Sequence, residues 1–106
     1  MKLIREFPSR VIDRFGSVGF VHSRLARGEI QVSLAELGPG GRIGGHPAVS
    51  RQLFVVLRGR GWVRTESENA ELAAGEAALW ETGEWHESGT DEGMSVLVVE
   101  GELETF

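Results

Sequence analysis

The stretch from Gly40 to Gly61, GGRIGGHPAVSRQLFVVLRGRG, decides the fold of this chain. It opens with a glycine-rich turn, places His46 at the end of that turn, and continues into an apolar run before a second glycine turn. A second stretch, Gly75 to Thr90 (GEAALWETGEWHESGT), follows the same plan and delivers His86. Two histidines that follow glycine turns on separate strands indicate a site assembled in a β-barrel.

The length and the glycine content favour one small all-β domain. A chain of 106 residues is large enough for a single core. Its 15 glycines are twice the usual fraction of about 7%, and most lie between apolar runs. We expect one domain spanning residues 1–106, with an N-terminal arm over residues 1–15 and a core barrel over residues 30–100.

The charge and the missing residue types exclude several classes of function. A net charge of −5 repels phosphate backbones and anionic lipid surfaces, so we expect neither nucleic-acid nor membrane binding. No apolar run approaches the roughly 18 residues of a spanning helix, and the first residues lack the apolar core of a secretory signal. The absence of cysteine removes thiolate sites and disulfides, and it fits a cytoplasmic location.

Short apolar runs between glycines predict about eight β-strands. Ile30, Val32 and Leu34 alternate with polar residues, as in a half-buried strand. The run from Gln52 to Leu57 is apolar throughout and predicts a strand buried on both faces. The glycines of Arg58 to Gly61 predict a hairpin turn after it. Strands at this spacing are typical of an all-β sandwich or barrel.

The first stretch resembles the first motif of the cupin superfamily, G-x5-H-x-H-x3,4-E-x6-G. Gly40, His46 and Gly59 fall on the conserved positions of that motif without a gap. Ala48 stands in place of the second histidine, and Gln52 stands in place of the glutamate.

The second stretch resembles the second cupin motif, G-x5-P-x-G-x2-H-x3-N. Gly75, Gly83 and His86 match, whereas Glu81 replaces the proline and Thr90 replaces the asparagine. The resemblance spans residues ~30 to ~100 and implies a jelly-roll barrel, a double-stranded β-helix that is commonly dimeric. It also implies a metal inside the barrel, such as Zn, Fe, Mn or Ni, of whose four ligands only His46 and His86 are kept.

His46, Gln52 and His86 form the candidate metal set. Positions 46 and 52 share one parity, so both side chains can face the same side of a strand. Imidazole nitrogens suit transition metals, but a neutral glutamine supplies no negative charge, so a barrel without metal is an equal alternative. Gln52 could instead satisfy a hydrogen bond within the barrel. Glu84 and Glu87, which flank His86, are expected to be solvated.

The candidate ligand pocket consists of Phe54, Val56, Trp62 and Arg64. Phe54 and Val56 share parity with Gln52 and should line the same interior. A tryptophan at the mouth of a barrel can stack on a flat ligand. Arg64 could bind a carboxylate there or remain solvated.

Two functions fit these residues, and a third possibility is that the barrel is mainly a dimerisation scaffold. The first is a metal-dependent enzyme of the dioxygenase or isomerase type that acts on a small oxygenated substrate. The second is a barrel that binds or senses a small molecule without turnover, with the same histidines as hydrogen-bonding groups. In both cases we expect a homodimer, because cupins commonly pair and exposed strand edges invite pairing.

Overall fold

The computed structural model describes residues 1–106 and consists almost entirely of β-strands. There are ten strands: β1 (Lys2–Ile4), β2 (Arg10–Ile12), β3 (Phe20–His22), β4 (Ala26–Leu37), β5 (Arg42–Pro47), β6 (Arg51–Arg64), β7 (Asn69–Ala73), β8 (Ala77–Trp80), β9 (Trp85–Gly89) and β10 (Met94–Thr105). The single helical segment is the 3-10 turn Arg14–Gly16. No helix combines the length and apolar character needed to cross a bilayer.

The barrel is built around β6, which belongs to two antiparallel layers. Its first half lies between β8 and β10, in the strand order β1-β8-β6-β10-β4. Its second half lies between β7 and β9, and β9 continues the layer to β5. This arrangement confirms the predicted all-β jelly-roll barrel.

A bulge in β6 replaces the hairpin turn that the sequence predicts over residues 58–61. Val56 pairs with Val96 and Arg58 pairs with Ser95, so Leu57 is an extra residue in the ladder. Gly59, two residues after Leu57, has φ +79°, which glycine adopts at little cost. The predicted hairpin is therefore wrong, because a glycine between two apolar runs suits a bulge as well as a turn.

The inner faces of the two layers form one core between the sheets. Because the bulge shifts the alternation of β6 by one residue, the inner side chains change from even to odd positions along this strand. Phe54 and Val56 point inward before the bulge, and Val63 points inward after it. The buried members of this core are Ala48, Phe54, Val56, Val63, Leu72, Ala78, Trp80, Met94 and Val96.

The N-terminal segment contributes to the barrel and also extends from it. β1 pairs with β8, and Ile4 packs on the outer apolar face beside Leu53 and Val55. β2 and β3 instead form a separate two-stranded sheet. These two strands and the turn between them place basic side chains away from the barrel core.

Candidate functional site

The structure brings His46 and His86 together. They are register partners on β5 and β9, and their ring centroids are 4.6 Å apart. An irregularity in the ladder between Ile43 and His46 precedes the pair. His86 is buried, whereas His46 is exposed, so the pair lies where the interior of the barrel meets solvent.

A column of aromatic rings connects this pair to the core. The ring of His86 stacks on Trp80 with centroids 4.1 Å apart and planes 22° apart. Trp80 in turn contacts Phe54, with centroids 5.4 Å apart. The orientation of His86 is thus fixed by rings that are themselves fully buried.

Backbone carbonyls determine which nitrogen of each histidine is free. Nδ1 of His46 lies 2.8 Å from the carbonyl oxygen of Gly44, and Nδ1 of His86 lies 3.1 Å from that of Glu84. A carbonyl oxygen only accepts, so each Nδ1 donates its hydrogen. Each neutral ring therefore keeps a lone pair on Nε2, which can accept a hydrogen bond or bind a metal.

The surroundings of His86 favour its neutral form. Burial lowers the pKa of His86 below its usual value, and the neighbouring His46 lowers it further. The bond to the backbone of Glu84 and the carboxylates of Glu84 and Glu100 act in the opposite direction without reversing the shift. A neutral imidazole at neutral pH is the form that uses Nε2 as an acceptor or ligand.

Gln52 is held by a carboxylate that the sequence reasoning did not single out. Gln52 and Glu100 are register partners on β6 and β10, and Nε2 of Gln52 donates to Oε2 of Glu100 at 3.1 Å. Both side chains are half-buried on the inner parity of their strands. The amide nitrogen of Gln52 is therefore engaged with Glu100, whereas its carbonyl oxygen accepts no hydrogen bond from the protein.

A further feature of the site is the indole nitrogen of Trp80. Its Nε1–H is buried and has no hydrogen-bond partner within the protein. A buried donor without an acceptor costs about 1–3 kcal/mol. Because Trp80 stacks on His86, an oxygen atom that accepts from Nε1 would lie close to the histidine pair.

The predicted pocket residues lie in two different places. Phe54 and Val56 face inward as expected, but they are 2% and 0% exposed and belong to the packed core. Trp62 and Arg64 lie on the outer face, because the bulge places Val63 inward between them. The structure therefore does not bring Trp62 and Arg64 to the histidine pair, and any ligand there must bind at the barrel mouth.

Arg64 belongs to a cluster on the outer face. Its Nε donates to Oε1 of Glu87 at 2.7 Å, and its guanidinium lies 5.9 Å and 5.6 Å from the ring centroids of Trp62 and Trp85. The Glu87 residue is only 7% exposed. The expectation that Glu87 is solvated is therefore wrong, because its carboxylate is buried and paired with Arg64.

A metal fits the site only in part. The two Nε2 atoms can occupy two coordination positions, and imidazole suits Zn, Fe, Cu or Ni. However, no group of three or more histidine, aspartate or glutamate side chains is placed to hold an ion. Gln52 would be the third ligand through its carbonyl oxygen, yet that oxygen is neutral, and only the amide nitrogen is bonded to Glu100. The donor set thus lacks the anionic ligand that usually completes a cupin metal site.

Comparison with known families identifies the fold. A family model of the cupin domain matches residues 33–100. The chain belongs to the cupin family. No curated protein matches the sequence.

Two solved cupins resemble this one over most of its length. A cupin-2 domain protein from Shewanella frigidimarina is 17% identical, with a TM-score of 0.62 over 92% of this chain and 82% of that protein. A cupin superfamily protein from Desulfitobacterium hafniense is 12% identical, with a TM-score of 0.65 over 94% of this chain and 97% of that protein. At this level of identity, the likeness shows the fold of this cupin alone.

An enzyme also contains a similar barrel. A variant of salicylate 1,2-dioxygenase from Pseudoaminobacter salicylatoxidans is 15% identical, with a TM-score of 0.64 over 67% of this chain. The match covers only 20% of that enzyme. The fold of this cupin therefore occurs both in enzymes and in proteins of unknown function.

Proposed function

We propose that this cupin binds a small oxygen-bearing organic molecule at the mouth of its barrel. The observation that carries the proposal is the orphaned donor of Trp80 beside two histidines whose Nε2 atoms are free to accept. A hydroxyl group both donates and accepts, so it complements this set. The buried core beneath the pair keeps such a ligand small and close to the surface.

Ligand binding can be tested by native mass spectrometry of the purified protein and by calorimetry with hydroxylated acids. We expect His86→Gln to weaken binding at least about tenfold, because it removes an acceptor held in place by stacking. Trp80→Phe removes the orphaned donor together with part of the buried indole, so it should weaken the same ligand and also lower the melting temperature of the free protein. Equal affinity in wild type and both variants would exclude the barrel mouth as the site.

A metal-dependent activity is the second candidate, supported by the two free Nε2 atoms. A divalent transition metal would supply Lewis-acid chemistry or oxygen activation of the dioxygenase type, with His46 and His86 as ligands. Elemental analysis of protein purified without a chelator distinguishes this candidate. Near-stoichiometric metal that is lost in His86→Gln supports it, and no retention of Zn, Fe, Mn or Ni after reconstitution contradicts it.

We further propose that two copies of this chain pair through the outer face of the layer β1-β8-β6-β10-β4. Leu34, Leu97 and Val55 form a row of register partners across β4, β10 and β6. Beside this row Val32 is 55% exposed, and Leu34 itself is 62% exposed. Sedimentation analysis should show a dimer that Leu34→Glu dissociates. Val49→Glu, at an 88% exposed site outside this row, should leave the dimer intact.

We also propose that residues 1–106 form one domain, with an arm over residues 1–15 and a core over residues 30–100. A single cooperative unfolding transition seen by both circular dichroism and tryptophan fluorescence is the expected result. A cytoplasmic location stays a prediction, and cell fractionation tests it.

A further inference from the structure

The arginines of this protein divide into two groups. Most form an ion pair with a carboxylate, and these are Arg5, Arg27, Arg42, Arg51, Arg58, Arg60 and Arg64. Arg10, Arg14 and Arg24 form none, although acidic residues outnumber basic ones by 16 to 11. The unpaired arginines thus all belong to β2, β3 and the segments next to them, away from the histidine pair.

Two of the unpaired arginines face one cavity. Arg10 and Arg24 line a space of about 220 Å³ together with His22. Arg10 and His22 are register partners on β2 and β3, so the hairpin itself holds them side by side. Phe20 packs edge-on against the ring of His22, with centroids 6.2 Å apart. The sequence offered no role for His22, which belongs to neither cupin motif.

One side chain of the cavity lining is a phenylalanine. Phe106 lines the cavity and is 42% exposed, while its ring is held edge-on by Phe7 at a centroid distance of 5.5 Å. Nζ of Lys2 lies 5.8 Å from the centroid of the same ring, and Lys2 also forms no ion pair with a carboxylate. The cavity therefore combines an aromatic surface with the guanidinium groups of Arg10 and Arg24, neither of which forms an ion pair with a side-chain carboxylate.

We propose that this cavity binds a small organic anion that carries a carboxylate or a phosphate on an apolar, ring-sized group. The guanidinium groups of Arg10 and Arg24 match the planar geometry of such oxyanions and can each donate two hydrogen bonds. The imidazole of His22 can donate a third, and the ring of Phe106 covers the apolar part of the ligand. This site is separate from the barrel mouth, so it stands whether or not the proposed function holds.

Arg14 provides a matched control for charge. It lies in the same segment and is equally unpaired, but it does not line this cavity. Arg10→Gln, Arg24→Gln and Arg14→Gln therefore remove the same charge from nearly the same place. All three side chains are exposed, so the variants should keep the wild-type melting temperature.

The test is a titration followed by NMR amide shifts at physiological ionic strength, with benzoate, phenyl phosphate and inorganic phosphate as probes. We expect at least one of the two aromatic probes to saturate the site. Arg10→Gln and Arg24→Gln should each raise the dissociation constant of that probe about tenfold, since each variant loses a charge-assisted contact. Arg14→Gln should change the dissociation constant by less than about twofold, as screened charges do.

The same titrations distinguish a carboxylate site from a phosphate site and test the contribution of the Phe106 ring. Tighter binding of benzoate than of phenyl phosphate identifies a carboxylate site, and tighter binding of phenyl phosphate identifies a phosphate site. Phe106→Ala should weaken the aromatic probes and leave inorganic phosphate unchanged. Equal losses in all three arginine variants would show general attraction and overturn the proposal, as would the absence of saturable binding by any probe.

Discussion

The contact between Gln52 and Glu100 makes a sharp prediction about a single substitution. Gln52→Glu restores the residue type of the family motif, but it places a second carboxylate where Nε2 of Gln52 lies 3.1 Å from Oε2 of Glu100. Two carboxylates about 4 Å apart repel by about 4 kcal/mol at an effective dielectric constant of about 20.

Protonation limits this cost. Neutralising one carboxyl group of ordinary pKa about 4.3 costs about 3.7 kcal/mol at pH 7, so the destabilisation cannot exceed that value. Both side chains are half-buried, and partial screening by solvent reduces the expected loss to about 2–3 kcal/mol. The repulsion raises the pKa of the shared pair in the folded state, so the loss should shrink as the pH falls toward about 4.5.

The assay is urea unfolding of wild type, Gln52→Glu and the swap Gln52→Glu/Glu100→Gln at both pH values. The swap keeps one amide and one carboxylate in contact, so its free energy of unfolding should stay within about 1 kcal/mol of wild type. It also moves the charge to the strand position of the family's ligand. Calorimetry should then show tighter Zn or Mn binding by the swap than by wild type.

One result would refute this reasoning directly. If Gln52→Glu has wild-type stability at pH 7 without added metal, Gln52 and Glu100 do not face each other. If the swap is stable but gains no metal affinity, the carboxylate at position 52 does not point toward His46 and His86. These outcomes separate the hydrogen bond from the metal site.

Three further predictions concern the rest of the barrel. Gly45→Ala should lower the free energy of unfolding by about 1–3 kcal/mol through overpacking, because a Cβ there would lie 2.0 Å from the ring of Trp85. The control Gly44→Ala places a Cβ that meets nothing within 4 Å, so it should cost less in the same thermal melts. Glu76→Gln should destabilise the protein at neutral pH but not in acid. The hydrogen bond from the Ala73 N–H lowers the pKa of Glu76 in the folded protein. The stabilisation by Glu76 is therefore fully present above about pH 4.3 and is lost as the pH falls through the pKa of the folded state. Glu87→Gln should cost about 1 kcal/mol in urea unfolding, and an unchanged value would show that its ion pair on the outer face adds nothing.

The histidine pair was accessible to sequence reasoning because it depends on spacing. His46 and His86 each follow a glycine turn at a fixed distance, and the turns place them opposite each other on adjacent strands. The placement of Trp62 and Arg64 was not accessible in the same way. It depends on one extra residue at Leu57, which reverses the facing of every later position in β6.

Glu100 and Trp80 show why the chemistry of the site was only partly predicted. Both lie in apolar strands whose register with β6 is set by packing across the barrel rather than by local pattern. A signal for Glu100 did exist, since it continues the inner alternation of Met94, Val96 and Val98. The orphaned donor of Trp80 leaves no trace in the sequence, because it follows from which atoms surround the indole nitrogen.

The position of β10 in the sheet has a consequence for biosynthesis. This strand is the last of the ten, yet it lies between β4 and β6 and supplies hydrogen bonds to both. While the ribosome is still making it, β4 and β6 each have an unpaired apolar edge that invites association between nascent chains. The barrel can close only after residue 105 has emerged from the ribosome, and the interval before that is when a chaperone would matter most.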